Sequence, residues 1–372
     1  MKFKGLQIVI LISTIPLLIV NCNRVDSRWK GKIENVGGVV TVKNPKKPMF
    51  EEKDEAFIIQ EDLSIGVKEG LPEYMFSLLR DIDVDEDGNI YALDFRETKV
   101  KVFDSHGVYI RTIGQRGQGP GEFVSAYVLS VTPQKHLFVT DVAGRRISIF
   151  ELSGEFIRAI STAETLVLFP TLDSKECIYD LIPGRGENTG YELRKYSQDL
   201  KNQRILMTSP SVLTPQKKQR LFPAMIRFDL GPDDSLIYGY SEEYLIKICD
   251  SEGKILRHIT KEYDPVPISH EEREEVEKRS PAEGYRYDIP QYHSAYRLIL
   301  VDDKGWIFVG TFERDEKGYI YDIFTPEGKY FAKVDLAFPP VVMKKNKLYS
   351  IESDEEGYNI IKRYEYSFVP IK

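Results

Sequence analysis

The feature that most constrains this chain is a repeat. Between Asp81 and Asp94, two short alternating apolar runs (Ile82 and Val84, then Ile90 and Ala92) flank a turn at Asp87-Gly88-Asn89. That pattern is a β-hairpin signature, because apolar residues at a period of two line one face of a strand and Asp-Gly-Asn supplies the tight turn. A third run at residues 100–103, a second turn at 104–107 and a fourth run at 109–113 complete a unit of four short antiparallel strands. The unit recurs down the chain. Its third-strand positions are Phe103, Phe150, Tyr196, Cys249, Phe324 and Tyr364, spaced by 47, 46, 53, 75 and 40 residues. Four strands every ~40–50 residues is the spacing of a β-propeller, in which each unit buries both sheet faces against its neighbours in a ring.

Six units are therefore expected, with two irregularities. The last, from residue 347 to 364, is a strand short. The N-terminal runs at residues 38–42 and 56–59 are both candidates for the missing strand, and closure by either would remove a free sheet edge. The long fourth spacing holds an insertion of about residues 264–293, where Ser269-His-Glu-Glu272 reads as a capping box opening a short charged helix. The expected architecture is all-β: a six-bladed β-propeller over residues 38–372, with four-stranded antiparallel blades and one short helical insertion.

Ile82-Asp-Val-Asp-Glu-Asp-Gly-Asn-Ile-Tyr-Ala-Leu-Asp94, then Val102-Phe-Asp-Ser-His-Gly107, then Ile113-Gly-Gln-Arg-Gly-Gln-Gly-Pro-Gly-Glu-Phe123 resemble bacterial six-bladed β-propeller lipoproteins with NHL-type repeats. The Gly-Pro-Gly-Glu-Phe ending is the most specific piece, and residues 289–309 carry a second likeness. The resemblance spans about residues 30–370 and implies a fold far more than an activity.

Residues 1–22 read as one device. Lys2 and Lys4 precede an apolar stretch from Leu6 to Val20, and Cys22 follows it. The stretch is short for a membrane span and has the length of a signal-peptide core. The placement of Cys22 resembles a bacterial lipoprotein signal, with Asn21 where a smaller residue is usual. It implies a signal peptide at 1–21, lipidation of Cys22 and a linker to residue 37. A cleaved soluble signal and an uncleaved anchor are the alternatives. All three place residues 23–372 outside the cytoplasm, and the lipid-anchored reading places them in the cell envelope, on the outer membrane or the periplasmic face.

Composition limits the rest. Hydrophobic residues make up 42%, enough for a large core. The net charge of −7 becomes −9 without residues 1–21, and basic residues form no stripe, so nucleic acid is not an expected partner. Cys177 and Cys249 lie in strand-like runs without metal spacing, and read as small buried hydrophobes or, in an oxidising compartment, as a pair.

Motifs that suggest chemistry mostly dissolve into the repeat. Asp83, Asp85, Asp87 and Asp94 sit at calcium-loop positions, but strands rather than helices flank them and a hairpin turn is expected. The glycine-rich residues 116–121 precede a strand, so an inter-blade loop is expected rather than a phosphate cradle. His270-Glu-Glu-Arg-Glu274 lacks the second histidine of a zinc motif. No metal or other cofactor is expected. Asp94, Asp141 and Asp180 occupy equivalent places after the second strands, with Arg96, Arg145 and Arg185 nearby. They are the candidate ligand face, or else each aspartate caps its own blade turn. The expected function is an exported, lipid-anchored binding or scaffold module for an envelope protein, peptide or carbohydrate. The alternative is a propeller hydrolase or lyase with a metal in the central channel.

Overall fold

The computed structural model describes residues 28–51, 56–184, 190–213, 218–279, 284–315 and 318–369. Cys22 and Arg185 lie outside the described residues. Six sheets of antiparallel strands follow one another around a central channel. Blade one is Leu79–Val84, Ile90–Asp94, Lys99–Phe103 and Tyr109–Ile113, from the channel outward. Blade two is Ala126–Val131, His136–Asp141, Arg146–Glu151 and Phe156–Ser161. Blade three is Thr171–Leu172, Ile178–Pro183, Tyr191–Tyr196 and Gln203–Thr208. Blade four begins with Ile226–Leu230, Leu236–Tyr240, Leu245–Cys249 and Ile255–Lys261. Blade five is Leu298–Val301, Ile307–Arg314, Tyr319–Phe324 and Tyr330–Leu336. Blade six is Pro340–Lys344, Lys347–Ser353 and Asn359–Phe368, completed by Phe57–Ile65 from the N-terminal region.

The same local devices shape each blade. Asp85, Asp173 and Asp302 each accept two backbone N–H groups of the hairpin between first and second strands. Asp104 and Asp250 do so between third and fourth, and Asp354 between the second and third strands of blade six. Such Asx turns satisfy amides that the ladder cannot reach. In all six blades a register shift interrupts the pairing of third and fourth strands, and in four it falls at the end of the third strand, as at Val102/Phe103 and Ile149/Phe150. Bulges increase strand twist, which a propeller blade needs. Phe103, Phe150, Tyr196, Cys249, Phe324 and Tyr364 are all buried, so the third-strand register forms one shell of the core. Neighbouring blades share clusters: Tyr91, Leu93 and Val100 of blade one pack with Leu129, Leu137 and Phe150 of blade two. Cys177 and Cys249 are unbonded thiols, the first half-buried and the second buried.

Residues 114–123 form the expected inter-blade loop. Gly114 (φ +73°) lies so close to the Phe123 ring that a Cβ there would come within 2.1 Å of it. The glycine thus lets Phe123 plug the gap between blades one and two.

The N-terminal region differs from expectation in one respect. Residues 57–65, not 38–42, complete blade six, pairing antiparallel with Asn359–Phe368. The earlier run, Val39–Asn44, lies parallel to Ile255–Lys261, and Lys32–Val36 pairs with it, so blade four has six strands. The reason is local. Asn44 donates to Thr260 and Gly328 carbonyls and accepts from Trp29 Nε1 and the Tyr330 amide, which fits only the seam between blades four and five.

The insertion carries a helix, His270–Glu277, opened by the capping box of Ser269 and Glu272. No residue of the helix is buried. A short parallel pair, Lys218–Arg220 with Arg286–Asp288, joins the insertion to the connection between blades three and four. Buried His293 pins it further: its ring stacks on Phe312 at 4.3 Å and meets the Phe222 edge at 5.4 Å, while Nε2 lies 3.2 Å from Glu272.

Candidate functional site

Asp94, Asp141 and Asp180 do recur at equivalent positions, and each is fully buried. Asp94 accepts the amides of Ser77, Leu78 and Glu97. Asp141 accepts those of Val124, Ser125 and Gly144. Asp180 accepts those of Leu168 and Phe169, and burial raises its pKa. Each carboxylate thus anchors the loop entering its blade. None of the three lies in the channel wall. Arg96 and Arg145 are exposed beside them: the Arg96 carbonyl accepts from Arg116, and the Arg145 head donates to the Ala163 carbonyl.

The channel is lined by the first strands of all six blades and encloses about 850 Å³. A first strand is an edge, and its outward N–H groups need partners that no neighbouring strand supplies. Aspartates from the adjoining blade supply some of them. Asp81 accepts the Leu129 amide at 2.9 Å and Asp83 the Val131 amide at 2.7 Å, tying blade one to blade two. Asp229 accepts the Val301 amide at 2.8 Å, tying blade four to blade five. Each also accepts the amide of the next residue in its own strand. Lys344 closes the ring from the other side, donating to the Val84 carbonyl at 2.7 Å. Sequence reading placed Asp83 in a possible calcium series. The structure divides that series: Asp83 ties two blades, Asp85 caps its own turn and Asp94 anchors a loop. Among the described residues no group of three His, Cys, Asp or Glu side chains is placed to hold a metal.

Burial in the channel wall pushes the Asp81 and Asp229 carboxyls up to about 7, against the lowering effect of their amide donors. The raised value fixes a sign. A carboxyl that binds its proton more tightly in the folded chain contributes most below its unfolded pKa of ~3.9, and that contribution is lost as pH rises to about 7. Between pH 5 and 8, wild type should therefore lose ~2–3 kcal/mol of urea-unfolding stability relative to Asp229→Asn. A difference constant over that range would mean that Asp229 is already ionised at pH 5.

The first strands all start at one mouth, and its rim has two halves. Blades one to three carry an aromatic arc. Arg80 lies over the Tyr127 ring at 4.1 Å, and Tyr127 meets Phe95 and Phe169 edge to face at 5.5 and 5.6 Å. Register shifts between Leu79 and Asp81, and between Ala126 and Val128, free Arg80 and Tyr127 from the ladder. Phe169 is 51% exposed. Blades four and five carry a cationic arc. Arg297 donates to the Thr311 carbonyl and Tyr321 hydroxyl and lies over Tyr319 at 3.9 Å, with Arg314 over Tyr319 at 4.5 Å. Arg227, half-buried, has its Nε sealed from solvent without a hydrogen-bond partner. Burial, with Arg297 contributing, lowers its pKa. Leaving a buried donor unpaired costs ~1–3 kcal/mol. Sequence reading missed this rim, because nothing but the bulges and the ring geometry brings residues 80, 127 and 169 to the channel wall, with Arg227 and Arg297 beside it at the same ends of the first strands of blades four and five.

Comparison with known proteins bears on the fold. The structure is similar to that of a Bacteroides fragilis NCTC 9343 protein described as exported, at 10% identity and a TM-score of 0.57, covering 88% of this chain and 99% of that one. It is also similar to a member of the DUF4221 family from Bacteroides vulgatus ATCC 8482, at 11% identity and a TM-score of 0.55, covering 85% of this chain and 99% of that one. At such identities the likeness is one of fold. No curated protein matches the sequence. The family model DUF5128, described as 6-bladed beta-propeller, matches residues 74–362. That span takes in the six blades apart from the N-terminal strands that close and brace them and the end of the strand Asn359–Phe368, and the chain belongs to this family of six-bladed β-propellers.

Proposed function

We propose that this protein is an exported, lipid-anchored binding module that holds a carbohydrate chain at the aromatic rim of its channel. The observation that carries this reading is Phe169, 51% exposed against Tyr127 at the mouth of the channel of about 850 Å³. Exposed aromatic faces beside a concavity stack on the apolar face of a sugar ring, and such pockets combine apolar walls with a few polar groups. The carboxylates of the channel wall favour binding over chemistry, since Asp81, Asp83 and Asp229 already hold backbone amides. The anchor rests on the Cys22 signal, and places the module in the envelope, where a protein partner of an uptake system would share its ligand.

Saturation-transfer NMR with a panel of oligosaccharides tests the rim. Phe169→Ala should weaken binding ~10-fold, equivalent to about 1.4 kcal/mol. Binding unchanged in the Phe169→Ala/Tyr127→Ala double variant would overturn the assignment. Release of shortened products, abolished by EDTA, would establish instead a hydrolase or lyase acting through a channel metal. For the anchor, Cys22→Ala should move the protein from the membrane to the soluble fraction.

A further inference from the structure

We propose that the cationic half of the rim is an anion subsite, so that the carbohydrate bound at the mouth is an acidic one bearing hexuronate carboxylates. The inference rests on the binding reading above and deepens it. Three arginines, 227, 297 and 314, gather over blades four and five, and among the described residues none has a carboxylate within ion-pair distance. Elsewhere several buried or half-buried cations do have a carboxylate. Lys195 has Asp173 at 3.2 Å, Lys261 has Asp322 at 3.2 Å and Arg363 has Asp62 at 2.9 Å.

Two arginines of the group are held in place by tyrosine. Arg297 is clamped by the Tyr321 hydroxyl and the Thr311 carbonyl, and Arg314 by the Tyr319 hydroxyl at 3.1 Å. Arg227 differs. It lies on the first strand of blade four, its Nε is sealed from solvent without a hydrogen-bond partner, and it sits beside the positive charge of Arg297. A guanidinium kept half-buried, unpaired and next to a like charge is stabilised by an incoming anion, and its planar fork matches a carboxylate. Blade four adjoins blade three, which carries Phe169. A pyranose stacked on Phe169 would thus present the substituent of its next residue toward Arg227. The ligand class that satisfies both halves is a sugar chain with an apolar face and a C5 carboxylate.

The test uses the full mature chain and two probes of one shape: an oligogalacturonate hexamer, and the same hexamer with its carboxyls methyl-esterified. Calorimetry in 50 mM salt should show the acid binding at least ~10-fold tighter than the ester. Arg227→Gln should bring the acid down to the ester's affinity and leave the ester unchanged, whereas Phe169→Ala should weaken both. The acid–ester gap should also shrink between 50 and 500 mM salt, as screening requires, which tests the subsite in wild type even if Arg227→Gln folds poorly. Equal affinity for acid and ester, or a gap that survives Arg227→Gln, overturns the anion subsite while leaving the aromatic rim standing. Binding of neutral glycans alone overturns it likewise. Absence of binding to any glycan overturns both readings.

Discussion

Phe57→Ala is expected to cost ~3–5 kcal/mol, as much as truncating a phenylalanine in the middle of a blade. By sequence position Phe57 belongs to an N-terminal extension, ahead of the first repeat. In the structure it is 1% exposed and packs against Phe308 of blade five and Tyr366 and Phe368 of blade six, at centroid distances of 6.1, 5.7 and 5.5 Å. It stands at the start of the strand that completes blade six, so the cavity would open at the ring's closure. Its neighbour Ile58 points outward, 57% exposed, and Ile58→Ala should change stability by less than ~0.5 kcal/mol. Urea unfolding of both variants checks the contrast. Similar small effects at the two positions would show that Phe57–Ile65 is dispensable to the fold.

Asp322→Ala should be comparably damaging for a different reason. Asp322 is fully buried in the third strand of blade five. It accepts the Tyr244 hydroxyl at 2.6 Å and the Tyr330 hydroxyl at 2.5 Å, and faces Lys261 Nζ at 3.2 Å. Lys261, on the outer strand of blade four, lies over the rings of both tyrosines. Burial and the Asp322 charge together hold the Tyr244 phenol well above its usual range, so it remains a donor. Removing the carboxylate leaves a buried ammonium without its counter-charge, which costs ~3–5 kcal/mol. Replacing both partners, as Asp322→Leu with Lys261→Met, should recover most of that loss, because no charge then remains buried. A double variant as unstable as the single one would mean that the tyrosine hydrogen bonds, not the ion pair, carry the effect.

The two cases show where reading from sequence succeeds and stops. The third-strand register was legible because Phe103, Phe150 and Phe324 recur with the same turn chemistry and the same buried role. The missing strand of blade six was legible as a gap, and so was the capping box at Ser269. Which N-terminal run fills the gap was not. Residues 38–42 and 56–59 have similar alternation, and what separates them is pairing with residues over 200 positions away. The candidate site was the least legible. The first strand of blade three is only Thr171–Leu172, too short to announce itself. A one-residue bulge decides whether Arg80 or its neighbour faces the mouth. Asp94, Asp141 and Asp180 stood out because they repeat, and they repeat because every blade needs its entry loop anchored. Arg227, Tyr127 and Phe169 do not repeat, and so carried no signal along the chain.

The N-terminal segment touches three successive blades: the fourth through Val39–Asn44, the fifth through Met49 and Phe50, and the sixth through Phe57–Ile65. All three partners lie beyond residue 250. The strands synthesised first are therefore the last to find their places, since their docking sites emerge only with the final third of the chain. Until then Phe57 and Ile65 lack the partners that bury them in the folded chain, and four or five blades alone have an unsealed edge. For these strands the order of docking is thus the reverse of the order of synthesis. It also makes release of the last blade the event that commits the whole molecule to its native form.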